Sequence, residues 1–266
     1  SIAPRIDQGH YPYFDKNGIP CFPNAKGLMI HHYTTLCSYA LGMWEKYLIK
    51  GELYCASILI NIADYLLSSG ISSKDAVLFL DFEDHNEDSG NPCAMNQGEA
   101  ISVLIRAHAL TKNLKYLELA RHAANAFNYA YDNQGVCGNT REGYVWYLEG
   151  GKIILNGHNY ALMGLAELAE YTGDKKAEIL FRQGIKSIEL ALKDFDTGYW
   201  SWYWLNEPKY IASIMYHNLH IVQLGELARK SGSDILFEYS VHFERYARNP
   251  MNRIKAALQL CKAKMK

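Results

Sequence analysis

The sequence lacks an excess of charge of either sign. Its 266 residues contain 27 Lys and Arg against 28 Asp and Glu, which gives a formal net charge of −1 and a pI near 6.8. Nucleic acid is held mainly through its phosphates by a positive surface, so this composition argues against nucleic acid as a partner. Hydrophobic residues make up 49% of the chain, enough to bury a full core, and intrinsic disorder is therefore excluded.

Long apolar runs are also missing. No stretch approaches the roughly 20 apolar residues that a membrane-spanning helix needs, so no membrane span is expected. The first residues, from Ser1 to Pro4, do not resemble the charged and apolar start of a signal peptide. On that basis the sequence predicts a soluble protein and slightly favours the cytoplasm.

Several functional motifs are absent as well. The six cysteines include no CxxC pair, which predicts free, mostly buried thiols and no zinc site. The sequence contains no GxGxxG, P-loop, HExxH or GxSxG motif, so nucleotide-binding, zinc-protease and serine-hydrolase classes are not indicated, and we expect no cofactor. By contrast, 20 tyrosines against 9 phenylalanines exceed what an apolar core needs, and phenols suit sugar binding.

A repeat of about sixty residues organises the chain. Apolar residues at helical spacing predict pairs of helices joined by short turns at positions 51, 113, 173 and 232, at intervals of 62, 60 and 59 residues. Short turns make the two helices of a pair antiparallel neighbours. The predicted pairs are 33–50 with 53–67, 97–112 with 114–131, 157–172 with 175–192, and 211–231 with 233–246.

The links between the pairs are long, and they contain strand-like runs at 77–82, 144–148, 153–155 and 199–205. We predict an all-α fold, an α/α toroid or incomplete barrel of about four helical hairpins with small β-hairpins in the links. One domain would span residues 1–266, with 1–32 as an extended segment packed on it. An interaction solenoid such as a TPR array is less favoured because its links are short. The links are expected on one face, which would carry the functional site.

The first link offers two sets of polar residues. One is an acidic run that could provide the carboxylate pair of a glycosidase, although a solvated surface loop is the favoured interpretation. The other, Asn96, Gln97 and Glu99, begins an inner helix, where it would face the mouth of the toroid or cap the helix. The acidic run consists of Asp81, Glu83, Asp84, His85, Glu87 and Asp88.

The second and third links carry the aromatic candidates. Alternation along a short strand would put Tyr147 and Glu149 on the same side, and Asn156 could cap the next helix or bind a ligand. The aromatic run at 199–205 is either a sugar platform or a buried strand edge. His217 and His220 have metal-ligand spacing, but a core role is favoured for each and no metal site is predicted.

In order along the chain, seven segments resemble the C-terminal helical domain of the D-glucuronyl C5-epimerase family. Together they cover most of residues 10–245, and the resemblance implies inversion at C5 of a glucuronate residue in a glycan. It also implies that Tyr147, Tyr203 and Tyr216 are the catalytic-site tyrosines, and that Asn156 and the region of Gln97 contact substrate. The segments are DKNGIP (15–20), YALGMWEKYL (39–48), NQGEAIS (96–102), VWY (145–147), LNG (155–157), DTGYWSWYWL (196–205) and YHNLHIVQL (216–224).

Three departures from the family pattern qualify what the resemblance implies. Trp146 stands where the heparan-type enzymes have a glutamate, which leaves Glu149 as a substitute, and Asn206 and Ser213 stand where they have basic residues. The family's large N-terminal β domain is not among these residues. Because basic side chains bind sulfate, their loss argues against a densely sulfated polymer as substrate.

The expected chemistry needs two groups on opposite faces of the sugar, one to remove the C5 proton and one to return a proton. We expect Tyr216 and Tyr147 in these roles, Glu149 as a reserve base and Tyr203 orienting the sugar. A positive His217, His220 or Lys209 would lower the phenol pKa. Alternatives are a polysaccharide lyase and a non-catalytic glycan-binding toroid; a homodimer is left open. The expected substrate-binding residues are Gln97, Glu99, Asn156, Trp146, Trp202, His217 and His220.

Overall fold

The computed structural model describes residues 11–24, 26–82 and 90–264. Eight helices in this part of the chain form four consecutive antiparallel hairpins, which confirms the predicted all-α toroid. A ninth helix, α9, was not predicted. The helices are α1 (Tyr33–Lys50), α2 (Leu53–Ser69), α3 (Ala94–Thr111), α4 (Leu114–Asn125), α5 (Leu155–Thr172), α6 (Lys175–Phe195), α7 (Ile214–Ser231), α8 (Asp234–Arg248) and α9 (Pro250–Lys264).

Among the described residues, ten short strands form five antiparallel two-stranded sheets, most of them in the long links as predicted. The run at 153–155 is an exception, because only Ile154 forms a bridge there, with Trp204 of the third link. The pairs are β1 (Phe22–Pro23) with β2 (Met29–Ile30), β3 (Ile71–Ser73) with β4 (Ala76–Leu78), β5 (Asp81–Phe82) with β6 (Gly90–Asn91), β7 (Cys137–Asn139) with β8 (Val145–Tyr147), and β9 (Trp202–Trp204) with β10 (Tyr210–Ile211).

The four hairpins share one turn geometry. Gly51, Gly173 and Gly232 end α1, α5 and α7 in the left-handed conformation, with φ of 69°, 70° and 74°. Glycine adopts this conformation without steric cost, which explains why it marks these turns. At the second turn Lys112 is the left-handed residue, with φ of 60°, and Asn113 instead caps α4 by accepting a hydrogen bond from Lys115 N. The predicted turn position 113 is therefore one residue late.

The first helices of the hairpins form an inner ring, in which residues one repeat apart meet. Ser38 Oγ on α1 donates to Glu99 Oε1 on α3 at 2.7 Å, near the helix N-termini. Towards the other end, Arg106 on α3 and Glu167 on α5 form an ion pair at 2.7 Å. Because equivalent positions meet at both ends, the inner helices run parallel and their N-termini lie at one end of the ring.

The closest helix contact in the ring joins α3 and α5 through two glycines. A Cβ on Gly98 would lie 2.3 Å from the carbonyl oxygen of Tyr160, and a Cβ on Gly164 would lie 2.3 Å from the carbonyl oxygen of Gly98. Any side chain at either position would collide with backbone, so the two helices touch main chain to main chain.

The links meet at the N-terminal end of the inner helices, as predicted. Ala94 N, at the end of the first link, donates to Leu148 O of the second, and Leu205 N of the third link donates to Ile153 O of the second, at 2.8 and 3.1 Å. The predicted acidic run lies largely outside the described residues, at 83–89, as do residues 1–10 of the predicted N-terminal segment. Among the helices described, none combines the length and apolarity needed to cross a membrane.

Candidate active site

Two tyrosines come together where the third link enters α7. Tyr203 lies on β9 and Tyr216 lies in the first turn of α7. Their ring centroids are 4.5 Å apart, so the two phenol rings are in contact. Both residues are partly exposed. We call Tyr203 and Tyr216 the phenol pair.

Local hydrogen bonds hold the phenol pair in place. Ser213 caps α7, its Oγ accepting from Tyr216 N at 3.2 Å. Asn206 Oδ1 accepts from Ile153 N at 2.7 Å and so joins the third link to the second. These are the two positions where the family resemblance led us to expect basic residues; here both side chains serve to position the links.

Glu149 lies beside the phenol pair on a tight turn. Its N–H donates to Lys152 O and its carbonyl accepts from Lys152 N, while Gly150 and Gly151 between them have φ of 55° and 75°. Two successive positive φ values define a type I′ turn, which glycines favour. A Cβ on Gly157 would lie 2.2 Å from Glu149 Oε2, so that glycine makes room for the carboxylate against the first turn of α5. A helix N-terminus favours a negative charge there.

A second carboxyl group, Glu99 on α3, interacts electrostatically with Glu149. Glu99 is 1% exposed, and its Oε1 accepts from Ser38 Oγ. Burial raises the pKa of Glu99 to about 8; the hydrogen bond from Ser38 lowers it, and the charge of Glu149 raises it further. At neutral pH Glu99 therefore keeps its proton. The carboxyl group is too deeply buried for the direct substrate contact that the sequence suggested.

Burial, the charge of Glu149 and the neighbouring Tyr216 together raise the pKa of Tyr203. Tyr203 therefore stays a protonated phenol at neutral pH. The sequence-based expectation was the opposite, namely a phenol pKa lowered by positive neighbours. Lys209, one of those expected neighbours, lies 5.9 Å from the ring centroid of Trp202.

The two histidines expected to supply positive charge are neutral. Burial lowers the pKa of His217 to about 4 and that of His220 to about 3. Both Nδ1 atoms lie within 2.9 Å of Ser201 Oγ, and His217 Nε2 lies 3.0 Å from Phe243 O. Phe243 O can only accept, so His217 carries its proton on Nε2 and accepts the single hydroxyl proton of Ser201. His220 must then donate from Nδ1 to Ser201.

This assignment leaves His220 Nε2 with a lone pair, and that atom is buried without a hydrogen-bond partner in the described part of the chain. His217 also stacks on Trp200 with ring centroids 3.7 Å apart. Both histidines are 0% exposed, so the structure gives them a core role and places neither in direct reach of a substrate. In the described residues, no group of three or more His, Cys, Asp or Glu side chains could hold a metal ion.

Tyr147 does not join the phenol pair, contrary to expectation. It is 0% exposed, and its hydroxyl donates to the carbonyl oxygen of Leu180 on α6 at 2.7 Å. Its ring packs edge-on against Phe127 and stacks on His158. Tyr147 and Glu149 therefore contact different elements: the Tyr147 hydroxyl bonds to α6, whereas the Glu149 carboxylate lies against the first turn of α5.

Trp146 and Gln97 are also core residues and were wrongly expected to bind substrate. Trp146 is 0% exposed and stacks between His158 and Phe195. Gln97 Oε1 accepts from Phe79 N at 2.7 Å, and its Nε2 donates to two backbone carbonyls at 2.7 and 3.0 Å. With its amide fully used, Gln97 fastens the first link to α3 and α4.

Asn156 and Trp202 remain candidates for ligand contact. Asn156 is the second residue of α5 and not its N-cap, which is Ile154. Its Nδ2 points to Met95 Sδ at 4.0 Å, and its buried Oδ1 has no hydrogen-bond partner within the described chain. Trp202 is partly exposed on β9 and directly precedes Tyr203 in the chain.

Sequence reasoning missed the pairing of Glu99 with Glu149. Two signals were present: the Gly150-Gly151 dipeptide, which marks a type I′ turn directly after Glu149, and Gly157, which opens space at the start of a helix. No local pattern links either of them to Glu99, fifty residues earlier in the chain.

The fold defines the class of protein as an α/α toroid, an architecture found in solved carbohydrate-acting enzymes. Unsaturated glucuronyl hydrolase from Bacillus sp. GL1 matches with a TM-score of 0.53 and 14% identity, covering 85% of this chain and 61% of that one. A family 76 glycoside hydrolase (mannosidase) from Bacteroides thetaiotaomicron matches with a TM-score of 0.51 and 12% identity, covering 80% and 58%. At such identities the likeness establishes the fold alone.

The sequence establishes the family. The family model described as D-glucuronyl C5-epimerase C-terminus matches residues 78–245, and the chain belongs to this family. A D-glucuronyl C5-epimerase of Caenorhabditis elegans is 29% identical over 175 residues, covering 58% of this chain and 28% of that protein. An uncharacterized protein of Methanocaldococcus jannaschii is 27% identical over 207 residues, covering 73% and 66%. The chain thus spans less than two thirds of either relative. The resemblance seen in the motifs is confirmed.

Proposed function

We propose that the chain inverts C5 of a glucuronate residue in a poly- or oligosaccharide by removing a proton from one face and returning one to the other. The observation that carries the proposal is the ring contact of the phenol pair, Tyr203 and Tyr216, at the link end of the toroid, with the Glu149 carboxylate acting electrostatically on Tyr203. Membership in a family named for this reaction supports it.

The reaction breaks the C5–H bond next to the sugar carboxylate and passes through an enolate-like dianion. One group takes the proton, and a group on the other face supplies one. Tyr203 suits the donating side, because its raised pKa keeps the O–H in place at neutral pH. A phenol O–H can also donate a hydrogen bond to the charge that develops on the sugar carboxylate.

The geometry of the phenol pair leads us to change the predicted roles. With ring centroids 4.5 Å apart, the two phenols are in contact and leave no space for a pyranose between them. We therefore assign both phenols to one face of the sugar, with Glu149 in place of Tyr147 as the acid–base group of the other face. Asn156 and Trp202 would contact the sugar from α5 and β9. Asn206 and Ser213 stand where basic residues were expected, which favours a glycan with few or no sulfate groups.

A uronate lyase is the second candidate. Elimination begins with the same removal of the C5 proton and then expels the sugar linked at O4. The side-by-side phenols favour it, because one could remove the proton while the other protonates the leaving oxygen. A glycan-binding toroid without catalysis is the third outcome.

Incubation with glucuronate-containing oligosaccharides in heavy water separates these candidates. An epimerase incorporates deuterium at C5 and yields the inverted sugar without chain cleavage. A lyase produces unsaturated ends that absorb ultraviolet light. Binding in a calorimetric titration without deuterium incorporation would contradict both enzymatic proposals.

Two variants test the assigned residues. Tyr216→Phe is expected to lower the rate of deuterium incorporation by about 10²-fold or more while glycan binding persists, because general acid–base groups contribute about that much. The matched control is Tyr171→Phe, which removes a phenol that is 42% exposed at the opposite end of α5. Equal rates in the two variants would show that Tyr216 has no part in proton transfer.

A further inference from the structure

The third link (residues 196–213), which leads to the phenol pair, packs against the last helix, α9. A small apolar cluster, separate from the main core, lies between them. Among the described residues, three of its four buried members belong to the link: Trp200, Ile211 and Ala212. The fourth is Ala256 of α9, which is 0% exposed. Tyr203 and Tyr216 both pack against this cluster, so the phenol pair rests on a surface to which α9 contributes.

A second contact with α9 fixes the start of the same link. The hydroxyl of Tyr199 donates to Gln259 Oε1 on α9. Lys255 Nζ, one turn earlier on α9, lies 3.7 Å from the centroid of the Tyr199 ring. A lysine ammonium at this distance from an aromatic ring makes a cation–π contact. Because Tyr199 lies just before β9, α9 holds the chain at the point where it enters the strand of Tyr203.

Hydrogen bonds within the link connect this support to both phenols. Trp200 Nε1 donates to Ala212 O at 2.9 Å, and Ala212 N donates to Ser201 O at 3.0 Å, so the two arms of the link are joined at the cluster. One arm continues into β9 with Tyr203, and the other leads into the first turn of α7 with Tyr216. A displacement of the cluster would therefore move both phenols.

The position of α9 is itself fixed by the turn that precedes it. Asn249 N donates to Tyr246 O at 3.1 Å, and Asn249 Oδ1 accepts from Met251 N at 3.0 Å. These bonds set the direction in which α9 leaves α8. The family match ends at residue 245, before α9 begins. The helix that supports the phenol pair thus lies beyond the segment that identifies the family.

We propose that α9 is a positioning element of the candidate active site, in which Ala256 and Gln259 hold the link so that the phenol pair keeps the orientation that proton transfer needs. Both are positioning residues that act through the link and do not touch substrate. The consequence for catalysis rests on the proposed function, whereas the support given to the link does not. Misplacing a reacting group by about 1 Å can lower a rate by about 10²-fold, so a small shift is sufficient.

Two variants of the full chain loosen the contact in different ways. Ala256→Leu places a larger side chain at a fully buried position, which forces α9 and the link apart. Gln259→Leu removes the acceptor of the Tyr199 hydroxyl, whereas Gln259→Glu keeps an acceptor oxygen. Ala263→Leu is the matched control, because the same change then falls on an exposed position of α9. Circular dichroism checks folding, and Gln259→Leu carries the test if Ala256→Leu fails to fold.

Amide hydrogen exchange tests the support of the link independently of any reaction. In Ala256→Leu and Gln259→Leu the amides of β9 and β10 are expected to exchange about tenfold faster than in the wild type, because the link opens more often. Gln259→Glu and Ala263→Leu should match the wild type, and the amides of α3 and α5 serve as an internal reference. Unchanged exchange in β9 and β10 of both loosened variants would overturn the proposal whether or not the protein is an epimerase.

Deuterium incorporation at C5 under saturating glycan tests the consequence for catalysis. Both loosened variants should react about tenfold more slowly while glycan affinity stays within about twofold, because the phenols are displaced and not removed. Gln259→Leu, Tyr199→Phe and the double variant should lose the same factor, since all three lack one hydrogen bond.

The two measurements separate the two ways in which the proposal could fail. Faster amide exchange with an unchanged rate of deuterium incorporation would show that α9 supports the link without positioning the phenols, and the positioning role would be wrong. If the wild type incorporates no deuterium, the proposed function fails, and faster amide exchange in the loosened variants still establishes that α9 supports the link.

Discussion

At the scale of single residues, Tyr147 illustrates how burial separates residues that sequence order brings together. It shares a short segment with Glu149, yet its phenol is enclosed by Phe127 and His158 and donates to the carbonyl of Leu180. That carbonyl belongs to α6, more than thirty residues further along the chain. A hydroxyl enclosed in this way stabilises the fold and cannot reach a sugar.

Replacing Tyr147 with Phe therefore has a defined expected outcome. The free energy of unfolding should fall by about 1 kcal/mol, the usual net contribution of one buried hydrogen bond. The rate of C5 deuterium incorporation should stay within about twofold of the wild type. Urea denaturation and the heavy-water assay measure the two effects. If the Tyr147→Phe protein is folded but incorporates no deuterium at C5, Tyr147 is a catalytic residue and this prediction is wrong.

At the scale of elements, the contact between α3 and α5 depends on two glycines. Gly98→Ala would put a methyl group 2.3 Å from Tyr160 O and 2.6 Å from the Cα atom of Ala161, so the inner helices must move apart. We expect a loss of about 1–3 kcal/mol in the free energy of unfolding, as for other overpacked sites.

Gly225→Ala is the matched control on α7. Its added methyl group would lie 3.3 Å from Ser240 Oγ, a side-chain atom that needs to shift by only a few tenths of an ångström and can keep its hydrogen bond to Ile221 O. Helix propensity alone should then stabilise the protein by up to about 1 kcal/mol. Urea denaturation of both variants gives the comparison. A similar loss in the two proteins would mean that the Gly98 contact is not specially tight.

The boundaries of one element show where local patterns stop being sufficient. Apolar spacing predicted that the fourth helix would continue to residue 131, but α4 ends at Asn125 and two 3-10 turns follow, Ala126–Asn128 and Tyr131–Asn133. Phe127 does pack inward as the pattern implied, at 1% exposure. Phe127 packs beneath β7 and β8. The hydrogen bond from Val136 N to Ala126 O directs the backbone after α4 into the second link.

At the scale of the whole molecule, buried ionisable groups set the dependence of stability on pH. Burial lowers the pKa of His158 and His220 to about 3 and that of His217 to about 4. Below about pH 6.5 these residues take up protons only in the unfolded chain, so stability is lost as the pH falls. Glu99 acts in the other direction: the unfolded chain releases its proton from about pH 4.5 and the folded chain only near pH 8, so stability falls as the pH rises across that range.

Three histidines outweigh one carboxyl group below pH 6.5, whereas above it the carboxyl group dominates until the buried thiols, whose pKa values are also raised, contribute above about pH 8. Each contributes up to about 1.4 kcal/mol per pH unit. We therefore expect the free energy of unfolding to be greatest near pH 6.5. Urea midpoints measured from pH 5 to pH 8 test this, with Glu99→Gln expected to remove most of the decline above the maximum. Wild-type stability that keeps rising to pH 8 would contradict it.

The sequence by itself determined the ring of hairpins. Helical spacing of apolar residues and left-handed turns about sixty residues apart are local properties, and parallel inner helices with their links at one end follow from repeating them. Only the tertiary structure decided which polar groups meet. Ser38, Glu99, Glu149 and Tyr203 come from four separate segments, and their distances depend on helix packing across the ring. Whether a side chain such as Tyr147 faces the site or the core depends on neighbours contributed from far along the chain, and no local pattern encodes them.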